Sequence, residues 1–343
     1  MTLTFEQIKQ ITRGYERAFE TENGVKFCRF TEAEQEAYAK HHTELHIKTN
    51  STTGITAEFK TDADVIKLGV FTEKAMQLSL FAMDIYVDGK FAHWLKNFPD
   101  DTPDYNFITQ PCEFGEFCES FELGKQGEEK TIKIVFPWTV AAKLCELTLE
   151  NASYVVPVRK NDIMLMYGDS ITHGHHAKHP SLSYANRLAA AFDCECLNKA
   201  IGAEVYFPEL AKAAIGEKEG FCPKYVTIAY GTNDWRLTTK ESFCKRCPEF
   251  IRTIKEKYPS AKIFVLSPIW RTIAETENTD FGSFYEVEPI IEQACNEVGV
   301  NFISGIDLVP HDEKMFADLC LHPGDDGFAH YAANLEKKMR ALL

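Results

Sequence analysis

The chain has 343 residues, 45% of them hydrophobic and 26% charged, which is the composition of an ordinary soluble globular protein. Its formal net charge of −14 at pH 7 argues against nucleic acid or an anionic membrane as a partner. The charge fits a neutral or cationic substrate, and solubility alone explains it equally well. One hydrophobic core seldom grows beyond about 250–300 residues, so we expect two domains.

The beginning of the chain does not combine a basic segment with an apolar run, so we predict no secretory signal. No stretch approaches the roughly 20 apolar residues of a membrane-spanning helix. Without an export signal, the 11 cysteines are expected to be free thiols in a reducing compartment, and we expect a cytoplasmic protein. The sequence makes no prediction of the oligomeric state.

The first half of the chain is rich in strand patterns, after a helical stretch expected near residues 4–20. Short runs in which apolar and polar residues alternate, or β-branched residues cluster, cover 56–60, 65–70, 83–87 and 131–135. Asp88-Gly89 is a strong turn signal for a hairpin. Many short strands without helices between them predict an antiparallel β-sandwich, jelly-roll-like in arrangement, over residues 1–157.

Beyond Pro157, strands alternate with amphipathic helices. The predicted strands are Ile163–Tyr167, Tyr225–Tyr230 and Lys262–Ser267, and the predicted helices are Ser183–Phe192, Glu241–Tyr258, Phe284–Val298 and Asp325–Leu342. This alternation indicates a parallel sheet that is covered by helices on both faces. We therefore predict an α/β domain over residues 158–343.

A serine stands at the end of the first strand of this second half. Gly168-Asp169-Ser170 follows the apolar run Ile163–Met166 within two residues, and open α/β sheets bind their ligands at the carboxyl ends of their strands. A serine hydroxyl is a weak nucleophile unless a neighbouring base takes its proton. It also needs hydrogen-bond donors at the oxygen that becomes negative during acyl transfer.

Three later segments offer these groups in suitable places. Gly202 follows a short predicted strand and can present its backbone N–H at close range. Asn233 follows the apolar strand that ends at Tyr230, so its amide is expected at the same edge of the sheet. His322 precedes the last predicted helix and is the natural proton carrier.

Four blocks in this order resemble the SGNH (GDSL-type) hydrolase superfamily: Gly168-Asp169-Ser170, Gly202, Gly231-Thr232-Asn233-Asp234 and His322-Pro323. The resemblance covers essentially the whole carboxyl-terminal half. It implies a flavodoxin-like three-layer α/β/α fold and ester hydrolysis through an acyl-enzyme. By this resemblance Ser170 is the nucleophile and His322 the base. The Ser170 N–H, the Gly202 N–H and the Asn233 side chain then form the oxyanion hole.

The chain departs from the family pattern at one position. The family usually has an aspartate three residues before the catalytic histidine, where this sequence has Leu319. The nearest carboxylate is Asp318, four residues before His322. Asp318 can orient the imidazole if the turn is one residue longer; otherwise a backbone carbonyl orients it and leaves a Ser–His dyad. We favour Asp318, because the orienting role tolerates alternative acceptors.

A β-sandwich ahead of an SGNH domain resembles the two-domain carbohydrate esterases that remove acetyl groups from plant polysaccharides, and acyltransferases of similar build exist. We expect Asp169, Trp235, Trp270 and Tyr206 to contact the substrate. Trp235 and Trp270 each follow a strand end, and an aromatic face there could stack on the apolar face of a sugar ring. Taken singly, each aromatic is also typical of a core position.

The sequence also contains two patterns that suggest a metal. Residues 173–179 hold four histidines, and Cys244 and Cys247 have a metal-like spacing. Metal sites need a defined geometry and further ligands from elsewhere, and no second cysteine pair completes a zinc site. We interpret the histidines as cleft or surface residues and the cysteines as ordinary thiols of a helix. The prediction is that no metal and no organic cofactor is used.

The residues and these resemblances together predict a serine esterase that removes acetyl or another short acyl group from a carbohydrate. A lipase or thioesterase would need a long apolar acyl groove. Acyl transfer to a sugar or metabolite hydroxyl is the first alternative. A non-catalytic carbohydrate-binding protein is the second. The expected partner is an acyl ester of a small molecule or oligosaccharide.

Overall fold

A computed structural model describes residues 1–99 and 112–343, which divide into two compact units. The first unit contains residues 1–30, 47–161 and 178–181, and the second contains residues 31–46, 162–177 and 182–343. The main division along the chain falls after Asn161, and the domain bounds 1–157 and 158–343 stay predictions. Two segments belong to the unit that their place in the sequence does not suggest: residues 31–46 pack with the second unit, and residues 178–181 pack with the first.

Two antiparallel sheets build the first unit. Its described elements are α1 (Phe5–Ile11), β1 (Thr12–Arg13), β2 (Arg17–Thr21), β3 (Gly24–Cys28), β4 (Thr56–Thr61), β5 (Val65–Lys74), β6 (Ala82–Val87), β7 (Lys90–Lys96), β8 (Gly115–Glu122), β9 (Lys130–Val135), β10 (Val140–Glu150) and β11 (Val155–Pro157). One sheet has the order β1-β4-β9-β6-β7 with β11 beside β4, and the other has the order β2-β3-β10-β5-β8.

One hydrophobic core lies between these sheets and draws on alternate residues of their strands. Phe59 of β4, Leu68 of β5 and Ile134 of β9 all belong to it. The predicted antiparallel sandwich is confirmed, whereas the jelly-roll order stays a prediction. The hairpin between β6 and β7 turns at Asp88 and Gly89, whose φ values of 49° and 75° give the turn its tight left-handed backbone.

The helix expected near residues 4–20 is wrong in its length. Only Phe5–Ile11 is helical, and Thr12 and Arg13 already pair with Ala57 and Thr56 of β4. The helix ends because Thr12 adopts an extended backbone, with φ −100° and ψ 145°, which takes the chain directly into β1.

A parallel sheet with helices builds the second unit. Its described elements are α2 (Glu32–His41), α3 (Thr43–His46), β12 (Asp162–Gly168), α4 (Ser170–His173), α5 (Tyr184–Ala191), β13 (Cys194–Asn198), α6 (Pro208–Ala213), β14 (Tyr225–Ala229), α7 (Thr232–Leu237), α8 (Lys240–Lys257), β15 (Lys262–Leu266), β16 (Asn278–Thr279), β17 (Gly282–Ser283), α9 (Val287–Val298), β18 (Asn301–Ile303) and α10 (Asp325–Ala341). The predicted strands and helices of this half are present, with small differences at their ends.

The strand order of the parallel sheet is β13-β12-β14-β15-β18. In order of appearance within the sheet this is 2-1-3-4-5, the flavodoxin-like arrangement, so the predicted α/β fold is confirmed. The chain leaves β12 to one side for β13 and later returns to the other side for β14. Ligands of such sheets bind at this switch point, beyond the carboxyl ends of the strands.

The register of the strands brings the chemistry-bearing segments to one edge. Met166 of β12 pairs with Asn198, the last residue of β13, and Gly168 pairs with Ala229, the last residue of β14. The loops that follow β13, β12 and β14 therefore emerge side by side. Ser170 lies in the middle loop, with the loop of Gly202 on one side and that of Asn233 on the other.

Candidate active site

Ser170 is the first residue of α4, directly beyond the end of β12. Asp169 caps this short helix, because its Oδ1 accepts the N–H of Ile171 at 2.9 Å. Gly168 permits the sharp turn, since a Cβ there would lie 2.2 Å from the Thr172 hydroxyl oxygen. Strand, glycine and cap together fix the serine hydroxyl at the edge of the sheet.

The Ser170 hydroxyl is joined to His322 and through it to Asp318. Ser170 Oγ lies 2.8 Å from His322 Nε2, and His322 Nδ1 lies 2.7 Å from Asp318 Oδ2. A carboxylate can only accept, so Nδ1 carries the proton and Nε2 is left as the acceptor for the serine hydroxyl. This is the hydrogen-bond direction that a histidine base requires.

Asp318 is held in its ionised form by the backbone of its own turn. Its Oδ1 accepts the N–H groups of Cys320, Leu321 and His322 at 3.0, 2.8 and 3.0 Å. Burial by itself would raise the pKa of Asp318, but the His322 imidazole and these N–H groups hold that pKa well below its usual range. The carboxylate can therefore orient His322 at any ordinary pH.

The extra residue in this turn is Leu319. It has a φ of 55°, in the left-handed region, and its side chain is 60% exposed. The turn closes around it, because Ala317 N–H donates to the His322 carbonyl oxygen at 2.8 Å. With an Asp–His spacing of four residues, Asp318 thus still reaches His322 Nδ1. The group that orients the imidazole is this carboxylate, and not the backbone carbonyl that was the alternative.

The loop of Gly202 is fixed against β12. The N–H groups of Lys199 and Ile201 donate to the carbonyl oxygens of Met166 and Gly168 at 2.8 and 3.1 Å. These bonds extend the pairing of the two strands beyond the end of β13. Gly202 follows immediately, beside the chain that leads into Ser170.

Asn233 lies in the first turn of α7, beyond the end of β14. Its Nδ2 donates to the Glu204 carbonyl oxygen at 2.9 Å. A carbonyl only accepts, so this bond fixes which side of the amide carries the N–H groups. The amide nitrogen has a second hydrogen that can be donated to a ligand, and the bond ties the loops of Gly202 and Asn233 together.

Two of the predicted substrate contacts lie in the core instead. Trp235 and Tyr206 are fully buried; the Trp235 indole donates to the Gly282 carbonyl oxygen at 2.9 Å, and the Tyr206 ring packs against Tyr230 and other aromatic side chains. Helical residues two positions apart point to different sides. Helix α7 therefore directs Trp235 into the core, whereas Asn233 lies at the edge of the sheet. Neither ring face is available to stack on a sugar.

The side chains of Trp270 and Asp169 also contact other groups of the protein itself. Trp270 is 8% exposed; His311 stacks on it with ring centroids 4.9 Å apart, and its indole donates to Glu275 at 3.0 Å. Asp169 is 3% exposed and serves as the helix cap. Burial raises the pKa of Asp169 to about 6. A stacking role for Trp270 is therefore not supported by its surroundings.

The histidines after Ser170 separate into different environments. The rings of His175 and His176 lie 4.7 and 5.1 Å from that of His322, whereas His179 belongs to the first unit and bonds to Asp84. Burial lowers the pKa of His175 far below its usual value and that of His176 to about 4, so both are neutral. The sequence did not predict that these two rings pack on the imidazole of His322. Their position shortly after Ser170 was the feature of the sequence that could have indicated it.

His176, Asp318 and His322 offer atoms within 4.8 Å of one another that could hold a metal ion. Both nitrogens of His322 are already bonded, one to Ser170 and one to Asp318. A metal would have to displace one of these hydrogen bonds, so the arrangement suits proton transfer better. Cys244 and Cys247 lie on α8 as expected, and the 11 cysteines are free thiols.

Part of the second unit is similar to a known protein family. Residues 166–330 match the model of the GDSL-like Lipase/Acylhydrolase family. This range contains Ser170, Gly202, Asn233, Asp318 and His322. No curated protein sequence matches the chain.

Several solved structures are similar over nearly the whole chain. The salicylyl-acyltransferase SsfX3 of a tetracycline biosynthetic pathway has a TM-score of 0.76 at 16% identity, over 96% of this chain and 94% of that one. A family two carbohydrate esterase from Clostridium thermocellum, solved with cellohexaose, has 0.64 at 15%, over 96% and 98%. An acetyl xylan esterase from the rumen bacterium Butyrivibrio proteoclasticus has 0.61 at 12%, over 97% and 95%. The likeness establishes the fold.

The described helices include no candidate for a membrane span. Within 1–99 and 112–343, each helix is too short or too polar to cross a bilayer.

Proposed function

We propose, from the match of residues 166–330 to the GDSL-like lipase/acylhydrolase family, that this chain is a carboxylic ester hydrolase that hydrolyses short acyl esters with Ser170 as the nucleophile. The observation that carries the proposal is the continuous hydrogen-bonded chain from Ser170 through His322 to Asp318, with links of 2.8 and 2.7 Å. A serine used only as a helix cap would not need an oriented imidazole.

In the first half of the reaction, Ser170 Oγ attacks the ester carbonyl carbon while His322 Nε2 takes the hydroxyl proton. The imidazolium that forms is stabilised by the ionised Asp318. The carbonyl oxygen becomes an oxyanion, for which the N–H groups of Ser170 and Gly202 and the amide of Asn233 are the proposed donors. Collapse of this intermediate breaks the bond to the alcohol, which leaves with the proton from His322.

In the second half, water replaces the alcohol. His322 takes a proton from the water as its oxygen attacks the acyl carbon on Ser170. The same donors stabilise the second oxyanion, and the bond to Ser170 Oγ breaks as His322 returns the proton. The products are a carboxylic acid and the restored serine, so protons and electrons balance without a cofactor.

The proposed substrate is an acetyl ester of a carbohydrate. Two similar folds belong to a carbohydrate esterase crystallised with cellohexaose and to an acetyl xylan esterase, which match 96% and 97% of this chain. A short acyl group is proposed because the rings of His175 and His176 pack on His322 and so border the site.

The test compares wild type with Ser170→Ala on aryl acetates and on a set of acetylated oligosaccharides followed by mass spectrometry. Turnover by Ser170→Ala is expected to fall more than about 10⁴-fold with the fold intact. Ser181→Ala is the matched control, because its hydroxyl bonds to Asp84 in the first unit at 2.6 Å. Retained activity in Ser170→Ala would remove the mechanism. Rates that rise from acetyl to octanoyl esters would remove the short-acyl preference.

Acyl transfer is the second candidate, and the likeness of the whole chain to an acyltransferase favours keeping it. In transfer, a hydroxyl of the acceptor takes the place of water at the acyl-enzyme. Hydrolysis predicts that acetate and alcohol are released in equal amounts at every acceptor concentration. Transfer predicts that acetate falls below alcohol as a sugar acceptor is added, with the missing acetyl recovered on that acceptor.

A further inference from the structure

Helix α2 is encoded near the beginning of the chain, yet it belongs to the second unit. A capping box starts it: the Thr31 hydroxyl accepts the Glu34 N–H at 3.2 Å, and Glu34 Oε2 accepts the Thr31 N–H at 2.8 Å. Glu34 and Tyr38 are one turn apart and so lie on the same face. Both are fully buried, which is unusual for a glutamate unless it has a charged partner.

The partner of Glu34 is Lys199, the first residue after β13. Lys199 Nζ lies 2.7 and 2.8 Å from the two carboxylate oxygens of Glu34, and both side chains are at most 1% exposed. A buried ion pair of this kind is specific in position, because breaking it leaves a charge without compensation. It therefore holds the backbone at Lys199 to α2.

Tyr38 makes a second connection, to Glu204. Its hydroxyl donates a hydrogen bond to Glu204 Oε2. Burial raises the pKa of Tyr38 well above its usual value, so the phenol keeps its proton. The backbone carbonyl of Glu204 is the group that accepts the Asn233 amide at 2.9 Å.

The segment between these two anchors contains Gly202. Its turn is closed by the Glu204 N–H, which donates to the Ile201 carbonyl oxygen at 3.1 Å. Ala203 has a φ of 70°, a left-handed conformation that is costly for a residue with a side chain. Such strain persists only where the surroundings impose it and is concentrated at functional sites.

We propose that Glu34 and Tyr38 are positioning residues for the oxyanion hole. By holding Lys199 and Glu204, they keep the strained turn between them in place, and with it the Gly202 N–H and the Asn233 amide. This inference rests on the proposed function of the site. It assigns to a helix from the first 46 residues a part in the chemistry of a serine more than a hundred positions away.

The decisive variant is Tyr38→Phe, which removes one hydroxyl and keeps the ring. kcat for an aryl acetate is expected to fall about tenfold, less than the hundredfold or greater loss on removing an oxyanion donor. KM and the pH profile of kcat/KM are expected to stay unchanged, because His322 is untouched. Tyr258→Phe is the matched control: Tyr258 is equally buried, and its hydroxyl donates to the Ile215 carbonyl oxygen at 2.7 Å.

A double-variant cycle separates positioning from general loss of stability. With Asn233→Ala already in place, Tyr38→Phe is expected to reduce kcat by a clearly smaller factor than in wild type, because the group it positions is gone. Glu34→Gln tests the other anchor and is expected to lower kcat in the same way, with KM unchanged. Its melting temperature shows whether the variant is folded during the assay.

Equal kcat values for Tyr38→Phe and Tyr258→Phe would overturn the positioning role while leaving the proposed function intact. Full additivity with Asn233→Ala would overturn it as well. Wild type that fails to hydrolyse any acyl ester, with Ser170 unlabelled by an organophosphonate, would instead defeat the proposed function and this inference with it.

Discussion

Each unit of the molecule contains a partly buried histidine–aspartate pair, and the two pairs differ in the surroundings of the second imidazole nitrogen. In the first unit His179 Nδ1 lies 2.8 Å from Asp84, and in the second His322 Nδ1 lies 2.7 Å from Asp318. His322 Nε2 meets the Ser170 hydroxyl at 2.8 Å. The His179 ring instead stacks on Trp94, with centroids 4.6 Å apart.

The serine nearest the first pair is bonded to the wrong partner for catalysis. Ser181 donates its hydroxyl to Asp84 itself at 2.6 Å, and its N–H to the same carboxylate at 3.0 Å. This pair therefore fixes the segment 178–181 within the first unit. An oriented imidazole is a structural device unless its second nitrogen faces a nucleophile at an accessible edge.

The same substitution at both pairs is the strongest way to break this comparison. Asp318→Asn is expected to lower kcat by about 10³–10⁴-fold, because an amide no longer selects the tautomer of His322 that accepts the serine proton. Asp84→Asn is expected to change kcat little and to lower the free energy of unfolding by about 2–3 kcal/mol, since a buried acceptor is lost. Aryl acetate kinetics and urea unfolding of both variants give the answer. Similar losses of activity at the two positions would contradict the distinction.

Asn233→Ala tests a second difference between the two histidine–aspartate pairs, namely the donor for the oxyanion that is proposed beside only one of them. The first unit has no proposed counterpart of this amide, whereas the second presents it beside Ser170. kcat is expected to fall by about 10²–10³-fold, since one donor to the developing negative charge is removed. The rate of Ser170 labelling by a small sulfonyl fluoride should fall less, because His322 still activates the hydroxyl. An unchanged kcat would exclude Asn233 from the hole.

Asp234 is a third aspartate to compare with Asp84 and Asp318; it is fully buried and accepts a backbone N–H, that of Tyr206 at 3.2 Å. Burial, with a contribution from Asp169, raises the pKa of Asp234 to about 7. The folded state then binds a proton more tightly than the unfolded state, so this group reduces stability as pH rises from about 4 to about 7. Asp318, with a lowered pKa, acts in the opposite direction and loses its contribution only in strong acid.

Asp234→Asn is therefore expected to gain stability relative to wild type as pH rises, by about 2–3 kcal/mol between pH 5 and pH 8. The measurement is the urea midpoint of both proteins at several pH values between 5 and 8. A difference that stays constant with pH would show that Asp234 is ionised in the folded state throughout this range.

Leu319→Gly is expected to have the smallest effect. Leu319 is 60% exposed and has a φ of 55°, and glycine removes the penalty of that backbone conformation. Stability is expected to rise by at most about 1 kcal/mol, partly offset by the greater freedom of glycine in the unfolded chain. kcat should be unchanged, because Asp318 still reaches His322. A large loss of activity would show that the Leu319 side chain itself takes part in the site.

The sequence was most informative where function and strand ends coincide. Ser170, Gly202 and Asn233 could be found because each lies shortly after an apolar strand, and parallel strands bring such residues to one edge. The Asp318–His322 pair is local, four residues apart, and could be weighed directly. The Asp84–His179 pair spans 95 residues, and no short-range pattern announces it.

Other features depend on packing that sequence patterns do not report. Trp235 and Tyr206 look suited to a ligand because they are aromatic and near motif residues, but the rotation of α7 and the core around it decide where they face. The helix of Glu34 and Tyr38 had a visible signal, the Thr31–Glu34 capping box. Its assignment to the second unit follows from the long-range bonds of Glu34 and Tyr38 to Lys199 and Glu204, which only the folded chain shows.

The most direct test of the central claim is to trap the acyl-enzyme. Wild type is mixed with an aryl acetate, quenched in acid within the first turnover, and digested for peptide mass spectrometry. The account predicts an acetyl group on the wild-type peptide that contains Ser170. The corresponding peptide of Ser170→Ala is predicted to carry no acetyl group. Steady turnover without any acetyl group on Ser170 would contradict the mechanism.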